Sequence, residues 1–292
     1  MGFFMSKKAK VAALSIFSNT LLVLSKAVVG IITGSISVIS ESVHSGIDLI
    51  ASVIAYYSVK ISSDPCDEKH PYGHGKSESI SGLIEAVLIF SAGLIIIIQS
   101  IEKIASGSHI EKIEFGIYIM LFSTFMNLIV SKMLFKVAKE EDSLALEADA
   151  QHLMTDVYTT LGVFGGLVLI KIFNLPLLDP IIAILIAVFI IRVSIQLTIK
   201  AIDPLMDRHL PDAEIEKIKQ IICSEPEVKA YHKLRTRKSG PQRHIDFHIL
   251  VKKSLHIDKA HALTERLEEN IKLKLSNSEV VIHVEPSDHH EE

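Results

Sequence analysis

Tryptophan is missing from the 292 residues, so an aromatic belt at a membrane interface would have to rest on the six tyrosines and twelve phenylalanines. Cysteine is nearly missing too. Cys66 and Cys223 are the only two, they fall in segments expected on the same aqueous side, and a disulfide framework is not expected. Charge of one sign is not in excess: a net charge of −4 gives no general polyanion-binding role, and nucleic acid is not an expected partner. The N-terminal MGFFMSKKAK sets lysines before an apolar run, as a signal peptide does, but the run outlasts the usual core and lacks a clear cleavage site. It reads as a first span that stays.

Charge is scarce up to about residue 200, where Ile, Leu, Val, Ala and Ser dominate; beyond that Lys, Glu, His and Asp are abundant. The expected division is a membrane domain over residues 1–205 and a cytosolic domain over residues 206–292. Six apolar segments, at roughly 11–33, 36–61, 79–101, 113–136, 144–171 and 177–199, each approach the ~20 residues needed to cross a bilayer. Each carries a few polar residues, as expected of a bundle with a polar interior. Lys7, Lys8, Lys10, Lys69, Lys76, Lys132, Lys136, Lys139, Lys200 and Arg208 flank one side, against mainly Lys103, Lys112 and Lys171 on the other. That bias places both termini in the cytoplasm.

Within the apolar runs, two short stretches stand out: His44-Ser-Gly-Ile-Asp48 and His152-Leu-Met-Thr-Asp156. A spacing of four puts both side chains of a pair on one helix face, about one turn apart. Ionisable groups at membrane depth are costly and are functional by default. Two such helices packed together would offer two nitrogens and two oxygens, a tetrahedral set suited to a divalent ion of the zinc type. With the orientation above, the second and fifth spans run antiparallel. Glu41 and Asp149, each three residues before a histidine, would then lie toward the outer and cytoplasmic faces as waiting points for a cation.

Between the second and third spans, SSDPCDEKHPYGHGKSES brings Asp67, His70 and His74 together at spacings of three and four, with Pro71 and Gly73 bending the chain. It is either a loop metal site or a solvated turn. The tail reads as helix, two strands, helix, strand, the αββαβ order of a small α+β domain with two helices on one face of a sheet. Alternation in RHIDFHILV puts His244, Asp246 and His248 on one face, and His283 shares a face with Glu285. With His232 and His261 these are donors enough for one or two further metal sites, or else a solvated charged face.

HxxxD in the second and fifth of six spans, the HPYGHGKSE loop, the PLMDRHLPD junction and LRTRKSGPQRHIDFHI together resemble the cation diffusion facilitator family, of the bacterial zinc and ferrous-iron efflux type. The resemblance covers nearly the whole chain. It implies a homodimer in the cell's inner membrane that exports divalent cations in exchange for protons, with a metallochaperone-like cytosolic domain. Carried over by position, it implies a transport site of His44, Asp48, His152 and Asp156, a loop site of Asp67, His70 and His74, and a cytosolic site drawing on His232, His248, His261, His283 and Glu285. Lys76 and Asp207 match a salt bridge that holds the dimer at the membrane surface.

There are departures. The nearest bacterial members carry two aspartates in the second-span pair, where this chain has His44 and Asp48; a two-histidine, two-aspartate set favours zinc over cadmium. Glu285 stands where an aspartate is usual, and no His-rich loop joins the fourth and fifth spans, unlike the vesicular zinc transporters of eukaryotes.

The expected function is therefore divalent metal efflux by alternating access, zinc first, with ferrous iron, manganese and cobalt also compatible with nitrogen and oxygen donors. A membrane metal sensor that moves no ions is the alternative. An intramembrane metallohydrolase, the enzyme reading, would need an open coordination position and a base such as HExxH supplies, and that motif does not occur.

Overall fold

In hydrocarbon every backbone amide must find its partner within its own segment or in a closed barrel, so long apolar runs have helix as their solution. The computed structural model describes residues 6–33, 36–106, 116–173 and 177–287. Its helices are α1 (Lys7–Thr33), α2 (Ile36–Ser62), α3 (Lys76–Ser106), α4 (Gly116–Glu141), α5 (Leu144–Phe173) and α6 (Leu178–Leu205). Most run past the apolar segments at one or both ends, because polar end residues such as Lys76 and Glu141 can leave the hydrocarbon without leaving the helix. Residues 113–115 of the fourth expected span and 288–292 of the tail lie outside the described residues, as does the side chain of Glu41.

Among the described residues, four helices are long and apolar enough to cross a membrane: Lys7–Ile32, Lys76–Ala105, Tyr118–Glu141 and Pro180–Leu205. The HxxxD pairs are carried by the other two long helices, α2 and α5.

The chain divides into two compact units, Met1–Pro65 with Lys76–Ile202 and Cys66–Gly75 with Asp203–Glu292. The first unit is turned inside out relative to a soluble protein. Phe17, Leu24, Ile31, Val87, Ile98, Leu185 and Val188 are exposed, while Lys8, Glu78, Glu85 and Asp149 are buried. Helix α5 is central. One side of it packs Leu146, Ala150 and Leu153 with Val59, Val130 and Leu134, and another packs Ala148 with Ala86, Ile89, Ile190 and Leu197.

The second unit has α7 (Asp212–Ser224), β1 (Ala230–Ser239), β2 (Gln242–Val251), α8 (Ile257–Lys274) and β3 (Ser278–Pro286), the expected αββαβ order. The sheet order is β1-β2-β3, with β1 antiparallel and β3 parallel to the central β2. Ile245, Phe247 and Ile249 point to one face and form a core with Ile218 and Ile222 of α7 and Leu263, Leu267 and Ile271 of α8. The opposite face carries the histidines.

The α2–α3 loop belongs to this second unit. Gly73 sits at φ +77°, a left-handed conformation open to glycine at no steric cost. Gly75 packs so tightly on the β1–β2 turn that a Cβ there would lie 2.3 Å from the Ser239 carbonyl oxygen.

Candidate metal sites

In the membrane unit, α2 and α5 bring Asp48, His152 and Asp156 together, with one donor atom from each inside 4.8 Å of the others. His152 Nε2 lies 3.0 Å from Asp48 Oδ1. Asp156 Oδ2 accepts a hydrogen bond of 3.4 Å from Asn127 of α4. His44 is one turn before Asp48 as the spacing required, but its ring is half exposed and its Nε2 stands 4.0 Å from Asp156 Oδ1, outside the three-residue cluster. Of the four expected donors, three converge and one hangs at the edge.

A polar seam supports this cluster. Asn19 of α1 donates to Ser52 Oγ at 2.5 Å, and Ser52 Oγ is within hydrogen-bond distance of both the Asp48 carbonyl (3.1 Å) and Asp149 Oδ1 (3.3 Å). Lys26 of α1 donates to Ser45 of α2 at 2.8 Å. Asp149, expected as a cytoplasmic waiting point, is fully buried with Oδ2 lacking a hydrogen-bond partner. Glu85 of α3, which motif reasoning passed over, is buried beside His152. Its signal was available: a lone carboxylate in GLIEAVLIFSAGLIIII is as costly at membrane depth as either aspartate.

In the loop, Asp67, His70 and His74 converge within the same 4.8 Å limit. Asp67 Oδ1 accepts from the backbone N–H of His70 at 2.6 Å and of Lys69 at 2.9 Å, and Oδ2 lies 3.4 Å from His74 Nε2. The His70 N–H and ring hold the Asp67 carboxyl below its usual pKa range, so it remains a ready anionic donor. Tyr72 rests edge-on against His244 (5.3 Å between ring centroids) and beneath the Arg237 guanidinium (4.4 Å), fixing the loop to the sheet.

The sheet face holds a third cluster, His232, His248 and Glu285. Register explains it: His232 is the cross-strand partner of His248, and His248 of His283, so three imidazoles line up across β1, β2 and β3. His248 Nδ1 is 2.6 Å and His232 Nε2 3.2 Å from the two oxygens of Glu285. The hydrogen bond from His248 holds the Glu285 carboxyl below its usual pKa. A β-bulge between His232 and Arg235, with Lys233 at φ +52°, inserts one residue into β1. Without it, His232 and Arg235 would face opposite sides, and His232 would point at the helices.

Of the other tail candidates, His283 borders this three-residue cluster and His261 lies away from it. His283 Nε2 is 3.5 Å from Glu285 but well exposed. His261 is on α8, exposed, with Glu265 3.4 Å away. Asp246 is taken by Arg235 at 2.7 Å, and His244 lies 3.2 Å from Glu279. Lys76 opens α3, and Asp207 Oδ1 lies 3.6 Å from Arg237.

Comparison with known proteins accounts for both units. Residues 12–206 match the profile of the cation efflux transmembrane domain, and residues 210–287 that of the cation efflux protein cytoplasmic domain. An uncharacterised transporter of Synechocystis sp. is 33% identical over 256 residues, covering 87% of this chain and 83% of its own. The cation-efflux pump FieF of Yersinia enterocolitica is 31% identical over 259 residues, 87% of this chain and 85% of its own. Among solved structures, the metal-bound C-terminal domain of the CzcD transporter from Thermotoga maritima is 28% identical, covering 27% of this chain and 93% of its own, with a TM-score of 0.26.

Proposed function

The chain belongs to the cation efflux family, and on that premise we propose that it is a multi-pass transporter exporting divalent metal, zinc first, from the cytoplasm in exchange for protons. One observation carries this reading: Asp48, His152 and Asp156 converge at the core of a helix bundle whose outer surface is apolar. Two carboxylates and an imidazole suit a borderline divalent ion, and His44, with Nε2 4.0 Å from Asp156 Oδ1, is the candidate for a fourth donor.

The coupling follows from the donors. A histidine binds metal only through an unprotonated nitrogen and an aspartate only as carboxylate, so loading displaces protons and protonation expels the ion. His152 Nε2, now 3.0 Å from Asp48, has to give up that partner to face an ion, which links ligand exchange to proton exchange at one pair of atoms. Alternating exposure of the cluster to the two sides would then convert a proton gradient into metal export. We place the termini in the cytoplasm, the protein in the inner membrane as a homodimer, and Lys76 and Asp207 at the dimer contact. The loop cluster and the sheet cluster would bind metal on the cytoplasmic side and tune the rate.

Zinc-driven proton flux in vesicles reconstituted with the purified chain tests the proposal. Asp48→Ala and His152→Ala should abolish flux, while His283→Ala should only blunt it. Zinc binding by the wild type without flux would make the protein a sensor instead.

A further inference from the structure

Glu85 has no place in the four-donor set, yet it is the carboxylate nearest the other side of the His152 ring. The imidazole stands between two acids: Nε2 faces Asp48 of α2 at 3.0 Å, and Nδ1 faces Glu85 Oε2 of α3 at 3.7 Å. Both oxygens of Glu85 and Nδ1 of His152 are buried with no hydrogen-bond partner. These are unmet groups of complementary kind facing one another, and a shift of less than 1 Å brings Nδ1 and Oε2 to hydrogen-bond distance.

Resting on the transport-site reading above, we infer that Glu85 is the positioning residue of His152: it accepts the Nδ1–H and so keeps the Nε2 lone pair aimed at the metal. An imidazole that ligates through one nitrogen must carry its proton on the other, and that N–H needs an acceptor, usually a carboxylate or carbonyl. Nδ1 is closed off from solvent by the protein around it, so its acceptor has to come from a neighbouring side chain, and a buried N–H without a partner would favour the wrong tautomer or a flipped ring. The carboxylates within 4.0 Å of the ring nitrogens are Asp48 and Glu85, and Asp149 is not among them. Three helices are thereby joined at one ring: α5 supplies it, α2 receives it and α3 orients it.

The experiment measures zinc affinity of the purified full-length chain by competition with a chromophoric chelator. The background carries Asp67→Ala and His248→Ala, so that the membrane site is read alone. Loss of an outer-shell partner typically lowers metal affinity about 10–100-fold, and that is the expectation for Glu85→Ala. Glu85→Gln retains an oxygen that can accept from Nδ1–H and should recover much of the loss. With His152→Asp, which needs no tautomer, Glu85→Ala should change affinity little. Unchanged affinity in Glu85→Ala, no recovery in Glu85→Gln, or an equal loss in the His152→Asp background would each overturn the inference, the last by making Glu85 a direct ligand. Vesicle flux by the same wild-type preparation is scored separately. Binding without flux would remove the transporter reading and leave the role of Glu85 standing, whereas a wild type that binds no zinc at this site would remove both.

Discussion

His44 and His152 occupy equivalent positions in the two HxxxD pairs, but their side chains are 49% and 7% exposed. A donor already seated in the cluster contributes to every bound state; one at the edge contributes only once it has swung in and lost rotamer freedom. His44→Ala is therefore expected to raise the zinc concentration for half-maximal flux about tenfold, some 1.4 kcal/mol, while His152→Ala leaves no flux to measure. His244 presents a different residue-scale effect. Burial pushes its pKa below the usual 6.5, partly offset by Glu279. The unfolded chain thus takes up this proton before the folded one does. Its contribution to stability is complete above about pH 6.5 and is lost as pH falls through the lower folded value. The thermal midpoint of the second unit should drop more between pH 7.5 and pH 5.5 in the wild type than in His244→Asn; parallel drops would remove His244 from the account.

At the scale of elements, one end of the membrane bundle is tied by a single buried carboxylate. Glu78, at the start of α3, accepts from Lys8 of α1 at 3.0 Å, from Ser62 at the end of α2 at 2.7 Å and from Ser143, just before α5, at 2.5 Å. Removing one partner of a buried pair strands the other. Glu78→Ala should cost about 3–5 kcal/mol, visible as a lower melting midpoint in detergent, and Lys8→Met with Glu78→Leu should regain a large part of it. An equal loss in the double variant would mean that packing rather than charge is what Glu78 supplies. Elements of this kind differ in how far sequence reveals them. The six helices were legible because apolar runs of about 20 residues are written into the chain, the αββαβ tail because periods of 3.6 and 2 are, and HxxxD because four residues make about one helical turn. The Lys8–Glu78 tie and the Glu85–His152 contact were not, since each joins residues 67 or more apart that no periodicity relates. The His232–His248–Glu285 cluster lay between these cases. Alternation put His248 on the correct face, but one extra residue near Lys233 decides where His232 points, and no hydrophobic pattern marks it.

The whole molecule joins two units with opposite solvent logic. The membrane unit exposes its apolar side chains and buries its ionisable groups; the second unit buries Ile245, Phe247 and Leu263 and exposes a charged sheet face. Two compact units with cores of unlike composition should melt as two transitions rather than one. Each unit contains its own candidate metal ligands, so a metal that binds only folded chain should stabilise each transition through the ligands of that unit. At a hundred times the dissociation constant the gain is about 2.7 kcal/mol per site. Scanning calorimetry of the metal-stripped chain, with and without zinc, should show both transitions rising. Asp48→Ala should cancel the rise in the membrane unit alone, and His248→Ala should weaken it in the second unit alone. The cross pattern is the discriminating part. If His248→Ala removed zinc stabilisation from both transitions, the membrane cluster would not be an independent binding site, and a transport reading built on Asp48, His152 and Asp156 would lose its support.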